Sequence, residues 1–207
     1  MIILGILISY LLGSIPTAYI FGKLYRGIDI REYGSGNVGA TNVFRVLGKG
    51  PGSIVLFMDV LKGLLAVSVL ADILGLELIW QRLVLALAVV SGHNWTIFLK
   101  FKGGKGIATS LGVLIALSLE IASARPVFLF TMAVWFLVFL LSGFVSLASI
   151  LAALCLPLIM VLTNQPFEIT CLGIVFCVFV VLRHRPNIRR LLLGQESRVT
   201  LPFLKKK

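Results

Sequence analysis

Charged residues are scarce in this chain: they make up 13% of its 207 residues, whereas hydrophobic residues make up 59%. A soluble domain has about 25% charged residues, which help to cover its surface with polar groups. This chain is too poor in charge to be a soluble globular domain, and we interpret it as an integral membrane protein. Its length provides for six or seven helical spans of ~20 residues and leaves no separate soluble domain.

Cysteine and histidine are also scarce. The three cysteines, Cys155, Cys171 and Cys177, lie in apolar runs without C-x-x-C spacing and without a histidine at metal-ligand spacing. This pattern argues against a disulfide framework and a zinc site, so we expect small buried or lipid-facing thiols, no metal and no cofactor. The N-terminus lacks the basic residues and the cleavage pattern of a signal peptide, so we interpret the first apolar run as a retained helix.

Acidic residues are fewer than basic ones, 8 against 19, and the net charge is +11. Such a charge is compatible with nucleic-acid binding, but the basic residues lie at the ends of apolar runs, as they do beside a membrane. Most of them occur after the first run, after the third run and in the C-terminal tail. The positive-inside rule predicts that these three segments are cytoplasmic, and we expect contact with membrane lipid and none with nucleic acid.

The apolar runs predict an all-α integral membrane protein with seven transmembrane helices, the N-terminus outside and the C-terminus in the cytoplasm. We interpret residues 1–207 as a single domain, because no linker or repeat divides the chain. Pro16 predicts a kink in the first span, and the fourth run is shorter than the ~20 residues of a full crossing. The predicted spans cover residues 2–21, 51–74, 83–99, 107–119, 126–141, 145–162 and 167–182.

A glycine-rich stretch, residues 34–45, follows the first span and reads GSGNVGATNVFR. Glycines adopt positive φ at little cost, so successive backbone N–H groups can converge on one anion. The hydroxyls of Ser35 and Thr41 and the guanidinium of Arg45 would add to such a site. We predict a phosphate-binding loop, with a flexible surface loop as the alternative. The stretch also matches G-x-G-x-x-G, but no strand of a βαβ unit precedes it, so a dinucleotide site is not expected.

The second basic segment places Lys105 between glycines at the start of the fourth span, in the sequence KFKGGKG of residues 100–106. A lysine beside the N–H groups of a helix N-terminus forms a second anion site. This segment is not a Walker loop, because Gly106 and not Ser or Thr follows the lysine. We predict that Lys105 is a ligand and that Lys100 and Lys102 anchor the chain at the membrane edge.

The tail after the seventh span supplies a third polar element. His184 could donate to a phosphate or act as a base near neutral pH. Ser146 and Ser149, three residues apart at the same end of the sixth span, share a helix face. Two roles are open for these serines, substrate binding and interhelical hydrogen bonding. We predict lipid-headgroup contacts for Arg189, Arg190 and the lysines at the end of the tail, Lys205, Lys206 and Lys207.

Asp59 and Lys62 lie three residues apart inside the second span. Charges inside a membrane are rare and usually functional. We predict that they form a self-neutralising pair that orders the helix beneath the anion sites, and a direct functional role is the alternative. Three anion-binding elements on one membrane face also predict substrates with two phosphomonoesters, which carry roughly four negative charges in total.

The residues of these three elements resemble a known family. Residues 35–42 (SGNVGATN), Gly92-His93 with residues 102–106 (KGGKG), and His184 with Asn187 are similar to the three motifs of the bacterial acylphosphate-dependent glycerol-3-phosphate acyltransferases. The resemblance implies a seven-helix inner-membrane enzyme whose site faces the cytoplasm. Such an enzyme transfers a fatty acyl group from acyl phosphate to the sn-1 hydroxyl of glycerol-3-phosphate. The products are lysophosphatidic acid and phosphate, and the reaction is the first acylation of phospholipid synthesis.

The resemblance also implies roles for individual residues. The catalytic candidates are Ser35, Arg45, Lys105 and His184. The same four residues, together with Asn187, would bind glycerol-3-phosphate, and Glu196 would be structural. The further substrate-binding candidates belong to the acyl-phosphate cradle or lie beside it: Gly36, Asn37, Val38, Gly39, Thr41, Asn42, Ser146 and Ser149.

The proton acceptor is open between two groups. Neither histidine has the aspartate of an H-x-x-x-x-D acyltransferase, because Phe98 and Arg189 stand at the fifth position after them. An acyl phosphate is already activated, so positioning and charge neutralisation can suffice, with the substrate's own phosphate taking the hydroxyl proton. His184 as general base is the alternative.

Two rival functions are considered beside the acyl-phosphate enzyme. An organophosphate transporter could line its pathway with the same cations, but the chain has no repeat and no pair of broken helices that meet at the membrane midplane. An enzyme that uses acyl-CoA would need an adenine or pantetheine site, and no feature of the sequence indicates one.

Overall fold

The computed structural model describes residues 1–199, and this range is helical, with no β-strand. The all-α prediction is therefore confirmed. The contacts predicted for Lys205, Lys206 and Lys207 fall outside the described residues. The α-helices of residues 1–199 are α1 (Ile2–Ser14), α2 (Thr17–Arg26), α3 (Ala40–Val46), α4 (Lys49–Val67), α5 (Val69–Ile73), α6 (Ile79–Asn94), α7 (Ile107–Glu120), α8 (Arg125–Ser142), α9 (Val145–Leu162), α10 (Phe167–Arg183) and α11 (Arg185–Leu192). Short 3-10 helices cover Ile30–Glu32, Ile97–Leu99 and Ala122–Ala124.

Several of these helices are long and apolar enough to cross a membrane. Within the described range, 5 helical segments meet that condition, and a sixth is added if α10 and α11, which are bent by 59° at His184, count as one span. Helix α7 is a shorter apolar helix of 14 residues. The count of seven spans and the outward N-terminus stay predictions. The five segments are Ile2–Arg26, Lys49–Ile73, Ile79–Leu99, Ala122–Ser142 and Val145–Leu162.

The described chain forms two compact units, with the boundary between Glu120 and Ile121. The first unit, Met1–Glu120, holds α1 to α7 and therefore both glycine-containing loops. The second unit, from Ile121 onward, holds α8 to α11 and the tail. The assignment of the whole chain to one functional domain stays a prediction.

The first membrane helix of the first unit is broken, as its proline predicts. Helix α1 ends at Ser14 and α2 begins at Thr17, because Pro16 has no N–H to continue the hydrogen-bond ladder. The carbonyl groups released at the break find side-chain donors. Thr96 donates its hydroxyl to the carbonyl of Ser14, and the ammonium group of Lys62 donates to the carbonyl of Ile15 at 2.5 Å. The break is therefore held by α4 and by the segment that follows α6.

Glycines allow the helices of the first unit to pack closely. In the pair α4 and α7, a Cβ at Gly63 would collide with the carbonyl oxygen of Thr109, and a Cβ at Gly112 would collide with the backbone of α4. The pair α1 and α6 has the same reciprocal arrangement at Gly13 and Gly92. Such contacts matter in a membrane because lipid provides no hydrophobic force between helices, so close van der Waals packing has to supply the attraction.

The second unit is a helical layer in which α9 packs against both α8 and α10. Helix α8 ends in a tight turn, because Gly143 has φ of 72° and its N–H caps α8 at the carbonyl of Phe139. The chain after α11 returns to this turn. The N–H of Val199 donates to the carbonyl of Gly143, and the guanidinium of Arg198 donates to the carbonyl of Ser142.

The close contact of α4 with α7 can be tested by adding one methyl group. We expect Gly63→Ala to lower the free energy of unfolding by about 1–3 kcal/mol, because the two helices must move apart to accept it. Gly50→Ala on the same helix is the matched control, since nothing lies within 4 Å of its added Cβ. Thermal unfolding of the purified variants in detergent measures the difference, and equal stability of the two variants would contradict the close contact.

Candidate functional site

The glycine-rich loop leads from a 3-10 turn into α3. Gly34 and Gly36 adopt left-handed conformations, with φ of 61° and 70°, so these two glycines have the backbone freedom that the phosphate-loop prediction requires. Gly39 is instead extended, with φ of −152°, and forms the N-cap of α3. The loop therefore has the left-handed turns on which the phosphate-loop prediction depends, and both that prediction and its alternative, a flexible surface loop, stay untested.

Asn42 fixes the shape of this loop. Its side-chain oxygen accepts the N–H of Ser35 at 2.8 Å, and its amide nitrogen donates to the carbonyls of Ile30 and Tyr33. The residue is buried, and a Cβ at Gly34 would collide with its side-chain oxygen. The Asn42 amide is thus engaged inside the loop and fixes the loop's shape.

The other candidates of the loop differ in their access to solvent and lipid. Ser35, Gly36, Thr41 and Arg45 are exposed. Thr41 and Arg45 lie one turn apart on α3, so their side chains share a face of that helix. Three candidates are less accessible: Asn37 and Gly39, which are half-buried, and Val38, which is buried.

The second loop is folded back onto the end of α6. The N–H groups of Gly103 and Gly104 donate to the carbonyls of Asn94 and His93, at 3.2 and 3.0 Å. Neither glycine has room for a side chain, because a Cβ would strike the carbonyl oxygen of His93 or its ring Nε2. Lys105 follows, half-buried, just before α7 begins. Backbone contacts of α6 therefore fix the position of this lysine.

The first unit brings the two loops together. The carbonyl oxygen of Val38 lies 2.9 Å from the position of a Cβ on Gly104. Both residues line a small pocket with the residues of the helix break. The other residues of that pocket are Gly13, Ser14, Ile15, Pro16, Thr17, His93, Thr96 and Gly103.

The ion pair predicted inside the second span is confirmed. The ammonium group of Lys62 lies 2.8 Å from the carboxylate of Asp59, and both side chains are buried in α4. The structure adds two partners that the sequence did not reveal. The hydroxyl of Thr17 donates to Asp59 at 2.6 Å, and Nδ1 of His93 lies 3.8 Å from the same carboxylate oxygen.

Glu196 organises the candidates of the second unit. Its carboxylate accepts hydrogen bonds from the Ser146 hydroxyl at 2.7 Å, the Asn187 amide at 2.6 Å and the Arg190 guanidinium at 2.7 Å. Burial alone would raise the pKa of Glu196, but the hydrogen bonds from Arg190, Ser146 and Asn187 outweigh it and hold the pKa below its ordinary value. Arg190, for which we predicted a lipid-headgroup contact, is instead paired with this carboxylate.

His184 and Ser149 are both buried. Nδ1 of His184 lies 2.8 Å from the carbonyl of Val180. Because a carbonyl only accepts, Nδ1 carries a proton, which it donates to Val180. The hydroxyl of Ser149 accepts the indole N–H of Trp135 and donates to the carbonyl of Val145. Its bond with Trp135 joins α9 to α8, so one of the two roles left open for this serine, interhelical hydrogen bonding, is observed.

Among the described residues, no group of three or more His, Cys, Asp and Glu side chains could hold a metal ion. The predicted site residues offer hydroxyls, backbone N–H groups, amides, cations and the His184 imidazole. Such groups suit anionic and hydroxyl-bearing ligands.

Helices long and apolar enough to cross a membrane define the class, an integral membrane protein. Comparison with known proteins identifies the family. The chain belongs to the glycerol-3-phosphate acyltransferase family, whose model matches residues 3–194. A glycerol-3-phosphate acyltransferase of Nostoc sp. is 43% identical, over 94% of this chain and 90% of the relative. One of Prochlorococcus marinus is 44% identical, over 96% of this chain and 98% of the relative. The resemblance noted in the sequence is therefore confirmed.

Two solved structures are also similar to this chain. One is PlsY, an integral membrane glycerol 3-phosphate acyltransferase, in its glycerol 3-phosphate form, with 41% identity, a TM-score of 0.86 and coverage of 96% of each chain. The other is the lysophosphatidic acid form, with 41% identity, a TM-score of 0.83 and coverage of 96% of this chain and 95% of that chain. The protein is accordingly an integral membrane acyltransferase.

The Glu196 contacts predict how stability depends on pH. Because folding lowers the pKa of Glu196, its carboxylate stabilises the protein above the ordinary value of 4.5 and loses this effect as the pH falls through the lower, folded value. We expect Glu196→Gln to be less stable near neutral pH by about 1.5–3 kcal/mol, with the deficit shrinking in acid. Thermal unfolding at a series of pH values measures this, with the exposed Glu168→Gln as control. A deficit that does not change with pH would contradict the assignment.

Proposed function

We propose that this protein transfers a fatty acyl group from acyl phosphate to the sn-1 hydroxyl of glycerol-3-phosphate, giving lysophosphatidic acid and phosphate. The similarity to the glycerol 3-phosphate form of PlsY, with its 41% identity over 96% of each chain, carries the proposal. The two anion-binding loops of the first unit support it, since both substrates carry phosphate. Family membership favours this enzyme over the organophosphate transporter, which no observation of the structure supports.

We assign the acceptor, glycerol-3-phosphate, to cationic and hydroxyl side chains. In the first unit, Ser35 and Arg45 are exposed and Lys105 is half-buried, so each has access to a polar ligand. An arginine fork and a lysine together neutralise much of the charge of a phosphomonoester. In the second unit, His184 and Asn187 are the corresponding candidates.

The donor phosphate belongs with the glycine-rich loop. Asn37 and Thr41 offer backbone N–H and side-chain groups, whereas the N–H of Gly36 donates to the carbonyl of Tyr33 at 3.0 Å, so the left-handed Gly36 contributes to the turn of the loop. Val38, Gly39 and Asn42 contribute through the backbone and the shape of the loop. In the second unit, Ser149 is the candidate at the donor phosphate, and the hydroxyl of its neighbour Ser146 is bonded to Glu196.

The chemical step needs no cofactor. The sn-1 oxygen attacks the carbonyl carbon of acyl phosphate, the bond from that carbon to the phosphate oxygen breaks, and the phosphate leaves with the electron pair. The hydroxyl proton passes to a phosphate oxygen of the substrate while Arg45 and Lys105 stabilise the developing charge. The alternative acceptor is Nε2 of a neutral His184 ring, whose Nδ1 donates to the Val180 carbonyl.

We also propose that the site faces the cytoplasm of a bacterial inner membrane, with seven spans, the N-terminus outside and the C-terminus inside. The basic residues after the first and third spans and in the tail support this orientation. Acceptor and released phosphate would then exchange with the cytoplasm, and the acyl chain would enter from the bilayer.

The acyl donor is tested by product formation. We expect detergent-purified protein to form lysophosphatidic acid and free phosphate from glycerol-3-phosphate with palmitoyl phosphate, and no product with palmitoyl-CoA. We expect this preference because the two loops are proposed to bind phosphate, which is the leaving group of acyl phosphate. No feature of the sequence indicates a site for the adenine or pantetheine of CoA. Activity with the thioester alone would overturn the donor assignment.

The role of His184 is tested by kinetics. If the substrate phosphate takes the proton, His184→Ala should raise the KM for glycerol-3-phosphate and keep most of the kcat, because only a ligand is lost. Loss of a general base would instead lower kcat by about 10²- to 10⁴-fold and would contradict the substrate-assisted step. Arg185→Ala, at the exposed neighbouring position, is the control.

A further inference from the structure

The buried charges of α4 are not used by the proposed chemistry. The side chains of Asp59 and Lys62 are 1% and 4% exposed, inside an apolar helix. Burying a charged group in an apolar helix costs hydration free energy, so such a group usually has strong interactions or a function. Their surroundings therefore indicate what they do.

Lys62 is fully engaged. Its ammonium group donates to the carbonyl of Ile15 at 2.5 Å, to Asp59 at 2.8 Å and to the hydroxyl of Thr17 at 3.4 Å. Three donors meet three acceptors, which accounts for every proton of the group. Lys62 neutralises Asp59 and holds the break in the first membrane helix.

Asp59 faces a group that Lys62 does not reach. Its Oδ1 atom, which accepts the Thr17 hydroxyl at 2.6 Å, also lies 3.8 Å from Nδ1 of His93. His93 is buried at the end of α6. A carboxylate beside Nδ1 favours the ring orientation and tautomer in which that nitrogen carries a proton.

The opposite edge of the His93 ring supports the second loop. Its Nε2 atom lies so close to Gly104 that a Cβ on that residue would collide with it. The His93 carbonyl accepts the N–H of Gly104 at 3.0 Å. Gly104 is also in contact with the carbonyl of Val38 in the glycine-rich loop. The ring therefore lies between the Asp59 carboxylate and the loop that ends in Lys105.

We propose that Asp59 is a positioning residue for acyl transfer: it orients the His93 ring, and that ring sets the position of the Gly103-Gly104 backbone and hence of Lys105. The inference rests on the proposed function, in which Lys105 binds glycerol-3-phosphate. Asp59 does not touch the substrate in this scheme. Because Lys105 also stabilises the developing charge, displacing it lowers both acceptor affinity and kcat but leaves the affinity for the acyl donor as it is.

Kinetics and calorimetry test this role. Asp59→Asn keeps the size of the side chain and removes its charge, and we expect the KM and the Kd for glycerol-3-phosphate to rise at least about tenfold, while the KM for acyl phosphate stays within about threefold. His93→Gln should have the same effect, and the double variant should be no worse than either single one, because both changes interrupt one chain of contacts. Asp72→Asn is the matched control, since Asp72 lies in the same helical segment but is exposed and paired with Arg82.

Nuclear magnetic resonance provides a measurement independent of turnover. The chain has 2 histidines, so ¹⁵N-histidine labelling in the His184→Gln background observes His93 alone. We expect Asp59→Asn to change the ring ¹⁵N shifts of His93, and Asp72→Asn to leave them as they are.

The outcomes separate the inference from the proposed function. Three outcomes would each overturn the positioning role. The first is unchanged acceptor affinity in a folded Asp59 or His93 variant, the second is a loss of affinity for acyl phosphate as large as the loss for glycerol-3-phosphate, and the third is unchanged His93 shifts. If Asp59→Asn does not fold, His93→Gln decides the question by the same affinity criterion. Wild-type protein that binds glycerol-3-phosphate but does not form product would contradict the proposed function, and the binding and resonance data would still test the inference.

Discussion

The ion pair of Asp59 and Lys62 is the interaction on which the first unit depends. A break in a membrane helix leaves carbonyl groups in a region where no water can satisfy them. Lys62 donates to one of these carbonyls, and Asp59 both neutralises Lys62 and accepts the hydroxyl of Thr17 just after the break. Each charge offsets part of the cost of burying the other, so the pair and the break are parts of one arrangement.

The two loops that we propose to bind anions, the glycine-rich loop and the Gly103-Gly104 loop, are shaped largely by backbone contacts. Gly104 and Gly103 lie against the end of α6 without room for a Cβ, and Asn42 uses its whole amide to shape the glycine-rich loop. The N–H groups of Ser35, Gly103 and Gly104 are used in these internal hydrogen bonds, so the loops keep their shape without reorganisation when charge develops. In the proposed mechanism, the charged side chains of Arg45 and Lys105 then stabilise developing charge beside these preorganised loops.

The second unit uses a carboxylate for a similar purpose. Glu196 accepts hydrogen bonds from Ser146, Asn187 and Arg190, so residues that are distant in sequence are held by one anion. The neighbouring His184 is fixed by the backbone instead, through Nδ1 and the carbonyl of Val180. In both units, polar groups that resemble ligands by residue type are partly structural, and they orient the groups that remain accessible.

Much of this protein follows from sequence alone. Apolar runs predict the helices long enough to cross a membrane, and Pro16 predicts the break in the first of them. The spacing of Asp59 and Lys62 predicts their ion pair. All three are local constraints. The motifs also led to the correct family. The sequence did not reveal that His93 lies beside Asp59, that Glu196 holds Arg190, or that the Asn42 amide is consumed within its loop. Those contacts join residues whose approach depends on helix packing, so only the tertiary structure decided which polar side chains support the site and which remain accessible to a substrate.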